Sequence, residues 1–349
     1  MNDKVSARKT KSPFALTIGN PPYQEEGASG GTNDAPIYQD FSRVAALAGA
    51  PYSELIIKAQ WFAGGREHLL GPFRREMLGG GKLRTLHAFP NGREVFPNAV
   101  EIKGGVCYYL QDTSKTSSCD YYLHKGNDVA HEEERDLSKA DILVRDPQLA
   151  SIVDKVLGKM KELGESHFVA EMLSGDTPFG IPTNPAASKK TPFPTSATPS
   201  GVFDVRLDLL DEKQNRTVAY VRRVDIKKNA QDIDFDKVFI AAAGGSGNDQ
   251  NILAEPIIAP KGSVCSQTFI YAKFASEDEA ANFSAYLKTK FVRILIASRK
   301  IDQHAPSKVY SFVPQQDFTR AWTDQDLYDK YDLSQPERDF IEKMIKPME

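Results

Sequence analysis

Directly after the apolar run FALTIG at 14–19, the sequence reads Asn20-Pro21-Pro22-Tyr23. These residue types suit one kind of chemistry. The exocyclic amine of adenine is a poor nucleophile, because its lone pair is delocalised into the ring. The Asn20 side-chain oxygen and the Pro21 carbonyl can accept the two amine hydrogens and favour the tetrahedral geometry in which the pair is localised. That interaction is stronger in the transition state than in the ground state, and it needs no dedicated general base. Two successive prolines fix φ and remove donors that would compete for those carbonyls. Tyr23 offers a π face to a base extruded from a duplex. Asn20, Pro21, Pro22 and Tyr23 are therefore the catalytic candidates. The plainer alternative is a polar loop in which Asn20 caps a turn and Tyr23 packs, and the complete tetrapeptide after an apolar strand argues against it.

Weaker signals lie further along the chain. Arg222 and Arg223 precede Val224, Asp225, Ile226, Lys227 and Lys228, and on an alternating strand they would build a basic face for phosphates or an ordinary solvated one. Ser246 and Asn248, in the glycine-rich stretch 244–250, suit a loop entering a groove or a plain turn. Arg299, Lys300, His304 and Lys308 follow an apolar helix. They suit phosphate or base contact, or simply a helix end whose dipole favours cations. Phe179 reads as a loop anchor in a core rather than a wedge against DNA. Glu101-Ile102-Lys103 imitates half of a metal-dependent nuclease, but Asn91 and Asn98 stand where an Asp would be needed. Cys107, Cys119 and Cys265 are widely spaced, so no metal site is expected and reduced, cytoplasmic thiols are.

The elements that must position these residues follow from periodicity. The run 14–19 predicts a buried strand that delivers Asn20 at its carboxyl end, the edge where open α/β sheets bind ligands. Pro36 opens a helix in which Phe41, Val44, Ala45 and Leu47 recur until Gly49. A second buried strand follows at 54–62, then Gly64-Gly65, a helix at 66–78, and strands at 82–89 and 102–110. This order predicts about half of a doubly wound, mainly parallel α/β domain. Composition shifts beyond Ser114, which predicts a boundary between Thr113 and Lys139 and domains of 1–125 and 126–349. In the second domain we expect a helix at 146–163 and an exposed Pro-rich loop at 182–199. Strands follow at 202–209, 217–224, 238–242 and 267–272, then a long helix at 277–297 and two short helices within 323–348.

With 40% hydrophobic and 26% charged residues, and no apolar run of the ~18 residues that span a bilayer, the composition is that of a soluble protein. The basic segment 1–11 is followed by no apolar stretch, so no secretory signal is expected. A net charge of −3 neither invites nor excludes nucleic acid, since binding requires a local basic surface.

The chain resembles the adenine-N6 DNA methyltransferases of restriction-modification systems, particularly the large combined restriction-modification methylases with a TaqI-like specificity domain. The resemblance is carried by IGNPPYQ at 18–24, PIYQDF at 36–41, QWFAGG at 60–65, FRREML at 73–78 and FPNAVEIKGGVCYYL at 96–110. It continues in KVFIAAAGGSG at 237–247, KTKFVRILIASRKIDQHA at 288–305 and KVYSFVPQQDFTRAWTDQDLY at 308–328. It implies a partial Rossmann-like methyltransferase sheet followed by an α+β target-recognition domain. It also implies S-adenosylmethionine as methyl donor and double-stranded DNA as partner, with a donor-binding methyltransferase subunit and a restriction endonuclease as candidate partners. In such enzymes the donor lies on a Gly-rich loop upstream of the Asn-Pro-Pro-Tyr motif, and nineteen residues precede Asn20 here, so the donor-binding residues are unknown. A permuted order, with 238–247 as strand and donor loop, is disfavoured because 248–260 contains Pro256 and Pro260 rather than a helix. A partner subunit, a longer gene product and a degenerate copy remain the alternatives, as does a non-catalytic DNA-specificity subunit.

Overall fold

The computed structural model describes residues 14–25, 35–98, 102, 104–114, 116, 118–139, 141–185, 193–211, 215–243, 252–300 and 304–348. It divides into two compact units, Met1–Pro147 and Gln148–Glu349.

In the first unit the order is β1 (Leu16–Gly19), α1 (Tyr38–Leu47), β2 (Tyr52–Lys58), a 3-10 turn (Ala59–Phe62), α2 (Glu67–Gly79), β3 (Leu83–Phe89), β4 (Val106–Asp112), β5 (Cys119–Lys125) and β6 (Asp128–Arg135). The six strands form one sheet in the order β1-β2-β4-β3-β5-β6. β1 and β2 are parallel, as are β3 and β5, while β4 and β6 run against their neighbours. The sheet is thus mixed rather than mainly parallel. β4 follows β3 through a loop, and without a helical crossover nothing forces the two to run the same way.

Side chains alternate along each strand. Leu55 and Ile57, Leu86 and Ala88, Cys107 and Tyr109, and Tyr121 and Leu123 form one core with Tyr38 and Ala45 of α1 and Leu70, Phe73 and Met77 of α2. Both helices therefore cover the same face of the sheet. Two expectations need correction here. β1 is not buried: among the described residues it has a neighbour on one side only, and Leu16 and Ile18 are exposed. On α1 the buried stripe is Tyr38, Ser42 and Ala45, while Phe41, Val44 and Leu47 face solvent. The composition change near Ser114 is a loop between strands, because β5 pairs with β3 and β6 with β5. The division falls beyond the 113–139 window.

The second unit contains α3 (Pro147–Glu162), α4 (Val169–Met172), β7 (Val205–Leu210), β8 (Arg216–Val221), β9 (Asp236–Ala241), β10 (Ile257–Ala259), β11 (Ser263–Cys265), β12 (Phe269–Phe274), α5 (Glu277–Lys288), α6 (Lys290–Arg299), α7 (Asp324–Lys330) and α8 (Gln335–Met344). Two three-stranded sheets, β10-β9-β12 and β11-β7-β8, share a core that includes Ile181, Leu207, Val221, Phe239, Val264 and Tyr271. The single helix expected at 277–297 is two. Thr289 adopts extended backbone between them, and its hydroxyl accepts from the Val292 N–H, so it ends α5 and caps α6. The chain is therefore mixed α/β, built on a six-stranded mixed sheet. No helix among the described residues is long and apolar enough to cross a membrane.

Candidate active site

β1 ends at Gly19, and Asn20 to Tyr23 leave it at the carboxyl edge of the sheet. Asn20 and Pro22 are exposed, and Pro21 and Tyr23 are half-buried. The return of this loop is fixed by backbone pairing. The Ile37 N–H donates to the Tyr23 carbonyl at 3.3 Å, the Glu25 N–H donates to the Ala35 carbonyl at 2.9 Å, and Gln24 bridges Pro36. From the adjacent strand, Lys58 Nζ donates to Gln24 Oε1 at 3.1 Å. The Tyr23 ring packs against the core of the unit, and its hydroxyl is buried without a hydrogen-bond partner. Burial, then the nearby Cys107 thiol, pushes the Tyr23 phenol up to about 12, so it stays neutral. The Asn20 carboxamide makes no hydrogen bond among the described residues. The loop thus presents one exposed carboxamide beside an anchored aromatic ring.

The rest of this edge serves internal packing. After β2, Ala59, Trp61 and Phe62 are buried, and Trp61 meets Phe73 edge to face at 5.5 Å. The Arg74 guanidinium donates to the carbonyls of Trp61 at 2.6 Å and Gly64 at 3.0 Å. A Cβ on Gly65 would lie 2.3 Å from Leu70 Cδ1. Gly105, with φ +76°, passes so close to β3 that a Cβ there would lie 2.2 Å from the Phe89 carbonyl oxygen, and its own carbonyl accepts from the Ala59 N–H at 3.0 Å. A donor cradle needs backbone N–H groups aimed at the ligand from a Gly-rich loop opening into a helix. Gly64-Gly65 does lead into α2, but the Gly64 N–H is taken by the Gln60 carbonyl at 3.1 Å and the Gly105 N–H by the Ile102 carbonyl at 2.9 Å, so these glycine pairs offer no cradle that fits S-adenosylmethionine. The permuted alternative fares no better where it is described. β9 is the centre of an antiparallel sheet, and 252–256 leads into β10 without a helix.

The DNA-contact candidates are not brought together as one basic face. Arg222 and Arg223 lie after β8, at a 3-10 turn rather than on an alternating strand. Each is held by two hydrogen bonds to its own carboxylate, Arg222 to Asp225 and Arg223 to Asp234. Arg299 and Lys300 are buried. The Arg299 guanidinium stacks 4.4 Å from the Phe312 ring centroid, and Lys300 Nζ donates to the Ile252 carbonyl at 2.7 Å. Arg299 and Lys300 at this helix end are thus packed inside the unit. His304 and Lys308 are exposed, and His304 bridges Ala243. Ser246 and Asn248 lie outside the described residues, as do Glu101 and Lys103 of the nuclease-like triplet. Phe179 is a core anchor, stacked 5.0 Å from Tyr271. No group of three His, Cys, Asp or Glu side chains able to hold a metal occurs among the described residues. All three cysteines are free and buried.

One constellation escaped the sequence. Tyr108, His87, Tyr122 and His131 lie side by side across β4, β3, β5 and β6 and stack at centroid distances of 4.3, 4.3 and 4.1 Å. His87 Nδ1 also meets His124 Nε2 at 3.0 Å. Burial, then the neighbouring His124 and His131, pushes His87 down to about 4.

No protein-family model matches the chain. An uncharacterised adenine-specific methylase of Mycoplasma pneumoniae is 31% identical over 136 residues, which cover 38% of this chain and 31% of that protein. Among solved structures, the type IIL restriction-modification enzyme MmeI in complex with DNA is 12% identical, with a TM-score of 0.47 over 85% of this chain and 46% of that one. The DrdV–DNA complex is also 12% identical, with a TM-score of 0.44 over 95% of this chain and 44% of that one. The chain spans less than half the length of each of these proteins.

Proposed function

We propose that the chain is the catalytic-loop part of a site-specific DNA adenine-N6 methyltransferase of a restriction-modification system. The observation that carries this reading is Asn20-Pro21-Pro22-Tyr23 standing at the carboxyl end of β1, with Asn20 exposed and the loop pinned at its return. The Asn20 oxygen and the Pro21 carbonyl accept the two hydrogens of the adenine amine and localise its lone pair. Tyr23, neutral and anchored by its buried end, stacks on the extruded base. The methylase relative supports the methyltransferase class. The second unit serves as the target-recognition part, where His304 and Lys308 are exposed near the end of α6. Double-stranded DNA is the substrate in this reading, with a donor-binding methyltransferase subunit and a restriction endonuclease as candidate partners. S-adenosylmethionine would supply the methyl group.

A second reading, a non-catalytic DNA-specificity subunit or a degenerate copy, is favoured by one observation: the glycine pairs at the carboxyl edge are committed to packing. One experiment separates the two. The Asn20→Ala exchange is made at the gene's own locus, and N6-methyladenine in the cell's DNA is quantified by mass spectrometry. We expect a loss of about 100-fold or more, comparable to removing one transition-state hydrogen bond. Unchanged methylation together with retained DNA binding would establish the second reading instead.

A further inference from the structure

Arg145 takes no part in the chemistry of the motif, and its burial calls for a reason. The residue is half-buried, its Nε is shut off from solvent without a hydrogen-bond partner, and it makes no ion pair among the described residues. Its neighbour Asp146 holds Lys125 instead, at 2.9 Å. Taking a guanidinium out of water without a carboxylate costs stability, so its worth lies in what it holds. Arg145 Nη2 donates to the Gly104 carbonyl at 2.5 Å, and the guanidinium lies 5.6 Å from the centroid of the Phe62 ring. The strap that carries Arg145 is itself fixed at two points. The Leu143 N–H donates to the Phe62 carbonyl at 2.8 Å, and Arg135 Nη2 donates to the Val144 carbonyl at 2.6 Å.

Three turns are thereby joined at the carboxyl edge of the sheet. The 3-10 turn after β2 meets the Gly104-Gly105 turn before β4 through the Ala59 N–H and the Gly105 carbonyl, and the strap reaches both. Cys107 lies just inside this junction. It pairs with Ile57 of β2 and Ala88 of β3 and is fully buried. The Trp61 indole and the Arg145 guanidinium lie beside its thiol, and that thiol is close enough to Tyr23 to help raise the phenol. Tyr23 packs against the same core, so its buried end rests on a residue that Arg145 braces. A guanidinium suits this work because its donors are held in a rigid planar fork, whereas an ammonium is a point charge on a flexible stem.

We infer that Arg145 is a positioning residue for Tyr23: by tying the turn after β2 and the turn before β4 to its own strap, it fixes the floor on which the Tyr23 ring stands when it stacks on an extruded base. This rests on the methyltransferase reading above. The test exchanges Arg145→Met in the full chain and follows nitration of individual tyrosines by tetranitromethane at mildly alkaline pH, read by peptide mass spectrometry. Nitration proceeds through the phenolate, so Tyr23, raised to about 12 in the parent protein, reacts slowly. Released from its floor it should move back towards its ordinary value of 10, and its nitration should rise about ten-fold or more, since each unit regained is ~10-fold in phenolate. Tyr109, buried in the same core, should not change. With the exchange made at the gene's own locus, N6-methyladenine in the cell's DNA should fall about ten- to hundred-fold, the scale of a small misplacement near reacting groups. Arg145→Lys, which keeps the charge but not the fork, should show the same selective rise at Tyr23, and it carries the test if the methionine variant does not fold. Unchanged nitration of Tyr23, a parallel rise at Tyr109, or loss of the fold in both variants would each overturn the inference. If Tyr23 is released while methylation is unchanged, the positioning role stands and the stacking role of Tyr23 falls. Methylation lost on Asn20→Ala, with Tyr23 unmoved by either exchange of Arg145, would keep the methyltransferase reading and end this one.

Discussion

Tyr23 and His87 are both half-buried rings, and their surroundings give them opposite uses. Tyr23 keeps its hydroxyl buried, and its phenol ionises far above neutral pH. His87 lies between Tyr108 and Tyr122, faces His124 directly, and has His131 beyond Tyr122 and Glu94 acting on His124. Its ordinary value of 6.5 falls to about 4. Between those two values the unfolded chain takes up a proton that the folded chain refuses. Stability should therefore decline as pH falls through that window and level off below it. His87→Phe keeps a ring in the stack without the titration. Its urea midpoint should drop less between pH 7 and pH 4.5 than that of the parent protein, and equal drops would remove His87 from the account. None of this was visible beforehand. His87, His124 and His131 come from three strands, and only the pairing register sets them side by side. The Asn20 loop, by contrast, is contiguous, so its residue types could be weighed directly against a chemistry.

Strands and helices were legible where burial and periodicity agree. β2, β3 and β4 were anticipated because one face of each faces the core, and α3 because Leu149, Ile152, Val153, Val156 and Met160 are buried at helical spacing. They were misjudged where an apolar residue faces outwards. β1 and the outer flank of α1 carry side chains suited to a core, and sequence cannot say that no described element covers them. The loop before β4 illustrates the other limit, since glycines in a sequence do not announce what they pass. Gly105 has positive φ and the Phe89 carbonyl against its would-be Cβ, and its neighbour there is backbone that cannot swing away. Gly105→Ala should cost on the order of 2–3 kcal/mol in denaturant unfolding. Gly79→Ala, with nothing within 4 Å, should cost almost nothing. Equal effects would mean that the 102–105 turn relaxes without cost.

At the level of the molecule, two hydrophobic cores with no residue in common account for the division at Pro147 better than composition did. The Ser/Thr-rich stretch after Ser114 resembles a linker in content but connects two strands of one sheet. Leu86 is fully buried in the first core, and Leu86→Ala should cost roughly 2–5 kcal/mol. Hydrogen exchange should show faster amide exchange across β2 to β5 and no change in β9 and β12. Acceleration in both sets would mean that the units unfold together.

The backbone pairing of 23–25 with 35–37 acts as a collar at the base of the segment between. Lengthening a loop beyond such a collar costs only ~0.6 kcal/mol per doubling, and the strain of an insertion stops at the Glu25–Ala35 bond before reaching Asn20. Genetic drift in that segment is thereby uncoupled from the tetrapeptide, so related genes can diverge there in length and composition while keeping the same four residues in the same place.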